Sequence, residues 1–541
     1  MISNDHFINT IIGTKLDCDK TLIELTRYQG VYLWWFVDRD FRYFSAKILR
    51  KFSKKIHNET FFRIYGRFDF LLDIVRHFST KILPSVYQDK KKNDRKILIT
   101  DQHRQWDKII DLDSFKSKKS DAFFDSIISR LKSTYEIVGI YPLGYPIGTR
   151  PNKGIKIFID KLLNWDIRYT PFESFWSIPA WREGRRASSH FKDIWKSLKD
   201  DKGLKKACQN QQRNLDKILS RRLKFYFYVM FPMFVKYIEM AKQMIKAEEP
   251  DLLLLLNEYS YFERALVVAG KLRGVPTLAV QHGVMIPEFD GGSYIFDKDF
   301  KDQVILPNKM CVFGPYYQKL LVEESIFDQN QVIVTGAPRY DILSVLPKFA
   351  SRKEILSNLG VNTNHQIILW TTQCHGMSLE ENITNFKTMG KVMGEFQGIT
   401  LVVKQHPNEG IQYSELIKNF LLAEDQSRIV VVPKTSNTYD LLIACDLLLT
   451  KSSTTALEAI ALNKPLLILD LSGKESPIEF VQEGVAIPAY DEENLKEAIK
   501  QLLSDDSALA AKRTKYIESR LHRIDGKATD RIVDSIISLI K

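Results

Sequence analysis

The sequence predicts an α/β protein: two consecutive doubly wound domains behind a helical N-terminal extension. Three observations lead there. From about residue 96 onward, short apolar runs of strand length alternate with longer amphipathic stretches, and strand–helix–strand order imposes parallel pairing with right-handed crossovers. A long, charged, helical stretch from about 180 to 249 interrupts the alternation, which restarts in a second series near Gln331. The polar segments rich in His, Ser, Gly and Pro follow directly on the apolar runs, at the carboxyl ends of strands where such sheets bind ligands.

Taken in order, residues 1 to about 95 read as helical. Phe61, Phe62, Ile64, Tyr65, Phe68, Leu71, Leu72 and Val75 recur at helical spacing, and Asp89–Arg95 reads as a linker. The first series, 96–330, has strands at Lys96–Thr100, Glu136–Tyr141, Asp251–Leu256, Thr277–Gln281 and Lys309–Phe313. Its helices are Ala122–Lys132 and Phe262–Arg273, the latter stopped by Gly274. The second series, 331–541, has strands at Val332–Thr335, Gln366–Thr371, Thr400–Lys404, Arg428–Val432, Leu447–Thr450 and Pro465–Leu469. Leu495–Leu503 and a last long helix close the chain. Two such Rossmann-like units are expected to face each other across a cleft.

Composition narrows the function. With 44% hydrophobic and 27% charged residues, 541 residues bury ordinary cores. Five cysteines without a CxxC pair indicate neither a zinc site nor a disulfide framework, and free thiols suit a cytoplasmic setting. The net charge of +12 calls for an anionic partner. No helix-turn-helix, zinc-finger or RRM pattern accompanies it, so nucleic acid is not expected. No run reaches the ~18 apolar residues of a membrane span. Two aromatic stretches, Val31–Phe36 and Phe225–Tyr237, fit either a buried core or an interfacial contact. Beside the first, Lys47, Arg50, Lys51, Lys54 and Lys55 suggest peripheral attachment to an anionic membrane surface through Trp34, Trp35 and Phe36.

Six segments carry candidate chemistry. In Leu447–Ala459 a buried strand runs into Lys451-Ser452-Ser453-Thr454 and then a helix, whose free N–H groups and hydroxyls would cradle phosphate, with Glu458 one turn in to accept ribose hydroxyls. Lys404 and His406, at another strand end before Pro407, would meet phosphate or a base edge. Gln281-His282-Gly283 follows a first-series strand, and a histidine titrating near neutral pH suits general-base work on an acceptor hydroxyl. Glu258, after Leu256-Asn257, would orient His282 or act as base itself. In Thr335–Asp341, Arg339 would clamp phosphate or make an interdomain salt bridge. His103, in the loop after the first strand, is the second candidate base on the acceptor side. No Walker A, HExxH or Gly-x-Ser-x-Gly is present. No Asp-x-Asp motif stands in the cleft loops, so metal-independent chemistry is expected.

Together these motifs resemble the GT-B glycosyltransferases, in particular capsule and surface-polysaccharide transferases, bacterial sialyltransferase-like enzymes and CDP-glycerol glycerophosphotransferases. Gln281-His282-Gly283 is similar to the last family's Trp-His-Gly turn, whose histidine is the assigned base, with glutamine in place of tryptophan. His406-Pro407 resembles the His-Pro motif that contacts the donor nucleotide. Ser452-Ser453-Thr454 resembles the phosphate-binding Ser-Ser/Thr motif, and Gly336–Asp341 a Gly-x-Pro-Arg-x-Asp turn. The resemblance spans about residues 96 to 505. It implies an inverting transfer of a sugar or sugar-like group from a UDP-, CMP- or CDP-linked donor, without a cofactor, to a glycan or lipid-linked acceptor at the cytoplasmic membrane face. Two rivals share the fold: a UDP-N-acetylglucosamine 2-epimerase-like enzyme, and a non-catalytic nucleotide-sugar-binding subunit.

Overall fold

The computed structural model describes residues 4–50, 95–100, 106–111, 117–143, 159, 167–210, 213–214, 216–256, 260–285, 298–373, 378–406, 409, 415–416, 428–451, 453–471 and 480–540. The chain divides into two compact units. One comprises Met1–Val312, Tyr317–Ile333 and Asp530–Lys541, the other Phe313–Tyr316 and Val334–Thr529.

The first unit is built on a seven-stranded sheet: β1 (Lys96–Thr100), β2 (Glu136–Tyr141), β3 (Arg168–Pro171), β4 (Leu252–Leu255), β5 (Thr277–Val280), β6 (Lys309–Val312) and β7 (Val332–Val334). Across the sheet they run β7-β6-β5-β4-β1-β2-β3. The pairs from β3 through β6 are parallel, with Leu254 opposite both Ile99 and Leu278. Winding starts at β1, moves outward to β3, returns to the other side of β1 and proceeds outward again. The switch point lies between β1 and β4. Nearly every side chain of β1, β4 and β5 is buried, which is why these strands read as unbroken apolar runs.

Two strand expectations are corrected here. Val332–Val334 belongs to the edge of the first sheet and does not open the second. Its Val332 carbonyl accepts from Gln318 Nε2 at 2.8 Å, a tertiary contact that periodicity cannot reveal. The segment before the predicted Ala122–Lys132 helix forms an antiparallel hairpin, Trp106–Ile110 with Ser117–Asp121, so the helix itself is Asp125–Leu131.

The first unit also holds a helical hydrophobic core. Helices Ile178–Leu198, Asp216–Phe225 and Phe231–Glu248 pack with the N-terminal segment into one aromatic cluster. Between the last two helices Tyr226–Met230 widens to a π turn, and the Phe231 N–H reaches the Tyr226 carbonyl. Pro232 follows at once, and the wider turn makes room for a ring that lacks an N–H to give back to Tyr228. Trp34, Trp35 and Phe36 lie inside this cluster, 2%, 5% and 1% exposed, with Phe36 4.5 Å from Phe234 between ring centroids. Their expected membrane contact therefore gives way to core packing. Arg264 donates to the Trp35 carbonyl and lies over its ring, while Arg222 and Tyr226 both bond to Asp40, so polar bonds as well as apolar area hold the segment. Residues 51–94, with the periodic Phe61–Val75 stretch and Lys51, Lys54 and Lys55, fall outside the described residues, as do the side chains of Lys47 and Arg50. No described helix is long and apolar enough to cross a membrane.

The second unit repeats the winding. Its strands β8 (Gln366–Thr371), β9 (Ile399–Lys404), β10 (Ile429–Val432), β11 (Leu447–Thr450), β12 (Leu466–Leu469) and β13 (Ile487–Ala489) run β10-β9-β8-β11-β12-β13, all parallel. This is the dinucleotide-fold order 3-2-1-4-5-6, with the switch point between β8 and β11. Sequence reading missed β3 and β13, short outer strands with weak apolar signals.

Candidate active site

At the end of β5 the Gln281 N–H continues the ladder to the Cys311 carbonyl at 2.9 Å. The Gln281 side chain is fully buried and turns back to donate to the Gly283 carbonyl at 2.7 Å. His282, half-buried, stands inside this short ring, held from both sides along the chain. Gly283 has no positive φ, and among the described residues nothing lies within 4 Å of where its Cβ would sit. Among the described residues neither backbone nor neighbours demand glycine there. Leu255 lies opposite Ala279 in the β4–β5 register, so His282 and Glu258 each follow those paired positions by three residues. Glu258 itself lies outside the described residues, as do His103 and Ser452.

In the second unit two of the expected residues meet, Arg339 and Glu458. Arg339 follows Gly336, whose φ of +84° calls for glycine, and Asp341 of the same turn accepts from the backbone N–H groups of Ala528 and Thr529 at 3.0 and 2.8 Å, capping the last helix. Arg339 donates to Glu458 at 2.6 Å, so the two residues expected to serve phosphate and ribose meet each other first, within one unit rather than between domains. Burial holds the Glu458 carboxyl above the usual carboxylate range despite Arg339. Burial also works against the Arg339 charge, but Tyr340, Glu458 and Tyr439 outweigh it and keep the guanidinium charged.

Ser453 accepts from the Thr455 N–H at 3.2 Å at the start of helix Thr455–Ala461, and Thr454 is exposed. Lys404 is buried and reaches the Lys434 carbonyl at 3.3 Å. His406, half-buried, gives its backbone N–H to Thr372 Oγ1 at 3.1 Å. Sequence reading gave no role of their own to five participants: Thr372, Gln373, Glu409, Lys451 and Asp470. Lys451 pairs with Asp470, and its N–H donates to Gln373 Oε1 at 3.2 Å. The available signal was positional, because Thr372-Gln373 leaves the first strand of the second series, beside the switch point. Among the described residues no three His, Cys, Asp or Glu side chains group as metal ligands.

Two parallel sheets with polar strand ends are a frame for nucleotide-linked chemistry. A family profile decides which. The profile for CDP-glycerol:poly(glycerophosphate) glycerophosphotransferases matches residues 181–538, more than half of the chain. The chain belongs to this family. As a member of the glycerophosphotransferase family it is a transferase that uses a nucleotide-activated donor in polysaccharide biosynthesis, on a GT-B fold.

The chain is similar to several solved structures, one of them at a TM-score of 0.50. The UDP-GlcNAc 2-epimerase from Neisseria meningitidis bound to UDP-GlcNAc is 14% identical with a TM-score of 0.50, covering 82% of this chain and 100% of that one. The wall teichoic acid polymerase TagF is 12% identical with a TM-score of 0.43, over 87% and 97%. The glycotransferase of kitacinnamycin is 12% identical with a TM-score of 0.47, over 83% and 100%. At such identities the likeness concerns the fold alone, so the epimerase gains nothing as a reading of activity. No curated protein sequence matches.

Proposed function

We propose that this glycerophosphotransferase-family chain transfers an alcohol-phosphate group from a CDP-linked donor to a hydroxyl of a polymeric or lipid-linked acceptor, with His282 as the base. The observation that carries this reading is the ring formed by Gln281 and Gly283 around His282, at a strand end of a chain whose family uses such donors. The acceptor oxygen attacks the phosphorus that carries the alcohol. Its proton passes to His282, the phosphoanhydride bond breaks, and CMP leaves. One direct displacement inverts the reacting centre. The base contributes by raising the nucleophilicity of a hydroxyl that is almost wholly protonated at neutral pH. Glu258 is its proposed partner, and His103 the alternative base.

In the same reading the second unit holds the donor. His406 and Lys404 serve the nucleotide, Ser452, Ser453 and Thr454 the phosphates, and Glu458, oriented by Arg339, the ribose. Cationic side chains at these strand ends supply the positive charge, so the transfer proceeds without a metal ion. The deciding experiment incubates the protein with CDP-glycerol, UDP-N-acetylglucosamine or a CMP-linked sugar and a teichoic-acid-type acceptor, in the presence of a chelator. CMP release that depends on both CDP-glycerol and acceptor is expected. Turnover of UDP-N-acetylglucosamine without acceptor would establish the epimerase instead, and donor binding without turnover the non-catalytic subunit.

We also propose peripheral attachment at the cytoplasmic membrane face, relocated from the buried Trp34–Phe36 stretch to helix Ile178–Leu198. This helix exposes Arg182, Arg185 and Arg186, with Ile178 55% exposed and Arg185 over the Trp181 ring. Cationic heads beside an apolar side chain suit an anionic lipid surface. Flotation with anionic vesicles should fall with salt and with R182E/R185E. Equal flotation on neutral vesicles would refute it.

A further inference from the structure

Three consecutive residues at the exit of β8 touch both loops assigned to the donor. The Thr371 carbonyl accepts from the Thr450 hydroxyl at 3.2 Å, which ties β8 to the end of β11. Thr372 Oγ1 accepts the His406 N–H at 3.1 Å and donates to the Glu409 carboxyl. Gln373 Oε1 accepts the Lys451 N–H at 3.2 Å. Glu409 is only 4% exposed, its own N–H closes onto the His406 carbonyl at 3.0 Å, and Lys434 Nζ donates to its carbonyl. His406 and Glu409 are thus both held by one threonine hydroxyl. Burying a carboxyl is costly unless it is hydrogen-bonded, so a buried Glu409 makes sense through what it holds rather than through packing.

We propose that Thr372 and Glu409 are positioning residues of the donor site: their hydroxyl–carboxyl clasp fixes His406 against the nucleotide, while Gln373 keeps the Lys451–Ser453 turn in register with it. This rests on the reading of the second unit as the donor unit. The physical reason is preorganisation. β8 is buried and paired on both sides, so it is a rigid anchor, and loops anchored to its exit lose less entropy when a ligand orders them. Neither residue need touch the donor.

The test is calorimetric titration with CDP, CMP and UDP in a double-mutant cycle. T372V keeps the branched shape and loses both bonds, so CDP affinity should fall about tenfold, the size of one lost hydrogen bond to a charged group. T372S keeps the hydroxyl and should restore most of that affinity. In a H406A background T372V should cost nothing further, which a general loss of stability would not reproduce. E409Q, passed through the same cycle, serves if T372V does not fold. A folded T372V that binds CDP as the wild type does, or a loss that adds in full to that of H406A, would overturn the clasp. If H406A itself binds CDP normally, or the wild type binds none of the three nucleotides, the donor-site reading fails and the clasp falls with it.

Discussion

The two units share one winding and spend it differently. In the first, the strand end that carries His282 is braced by a short-range bond: Gln281 reaches across a single residue to Gly283. In the second, the strand end at Thr371–Gln373 is a junction whose bonds run to loops 34 and 78 residues away. The difference matches the tasks proposed for them. A base must present one imidazole at one angle to one proton. A donor site must hold base, ribose and phosphates at once, so several loops need a common reference. Parallel sheets supply that reference where neighbouring strands end together.

The strongest test of this division is to remove the local ring's cargo. H282A should lower kcat by about a hundred- to ten-thousandfold while CDP affinity stays near wild type, because the proposed base and the proposed donor residues belong to different units. Comparing turnover with titration calorimetry checks it, and a parallel loss of CDP binding would merge the two tasks. Q281A should lower kcat by less, with kcat restored in part by Q281N if the side-chain bond is what holds the turn.

Arg339 separates stability from binding in the second unit. R339M leaves the Glu458 carboxyl buried without its guanidinium, which should cost about 3 kcal/mol in urea denaturation. R339M/E458M should recover much of that stability and still bind CDP poorly. Full recovery of both would make the pair purely structural.

Smaller effects are expected at the phosphate turn. S453A/T454A should weaken CDP binding by about 1–3 kcal/mol with little change in unfolding midpoint, since Thr454 is exposed and Ser453 bonds only locally. Unchanged affinity would move the phosphates elsewhere.

The smallest effect lies at the opposite end of the first sheet, where Lys96 and Arg168 meet Glu136 and Glu248. Burial alone would raise the Glu248 pKa, but Arg168 and Lys96 hold it below the usual carboxylate range. A depressed folded pKa contributes stability above the unfolded value near 4.3, which is lost as pH falls through the folded pKa. Urea midpoints should therefore drop between about pH 5 and pH 3, and E248Q, about 1–2 kcal/mol less stable at pH 7, should show a smaller drop. Turnover at neutral pH should hardly change.

Much of the architecture was legible from residue order alone. Apolar runs such as Leu252–Leu256 and Leu447–Leu449 are buried on both faces, and that burial is what made them readable as parallel strands. The punctuation was equally plain: Gly274 ends its helix at φ +70°, and His282, His406 and Ser453 follow their strands because polar groups at a buried sheet can only emerge at its ends. Tertiary structure decided matters that depend on partners far along the chain. Trp34, Trp35 and Phe36 beside basic residues fit a bilayer or a core equally well, and only the aromatic face of Phe225–Tyr237 settled them inside. Val332–Val334 has the pattern of any short strand, and its sheet was set by where β6 ends. Arg339 and Glu458 each read as a ligand-binding residue, and only the fold showed that they lie 2.6 Å apart as partners. Thr372 and Glu409 carry no local signal, since a threonine after a strand and a glutamate in a turn are ordinary. Their relation exists only because β8 and β9 run parallel and in register, which brings the segment after β9 to a hydroxyl at the exit of β8.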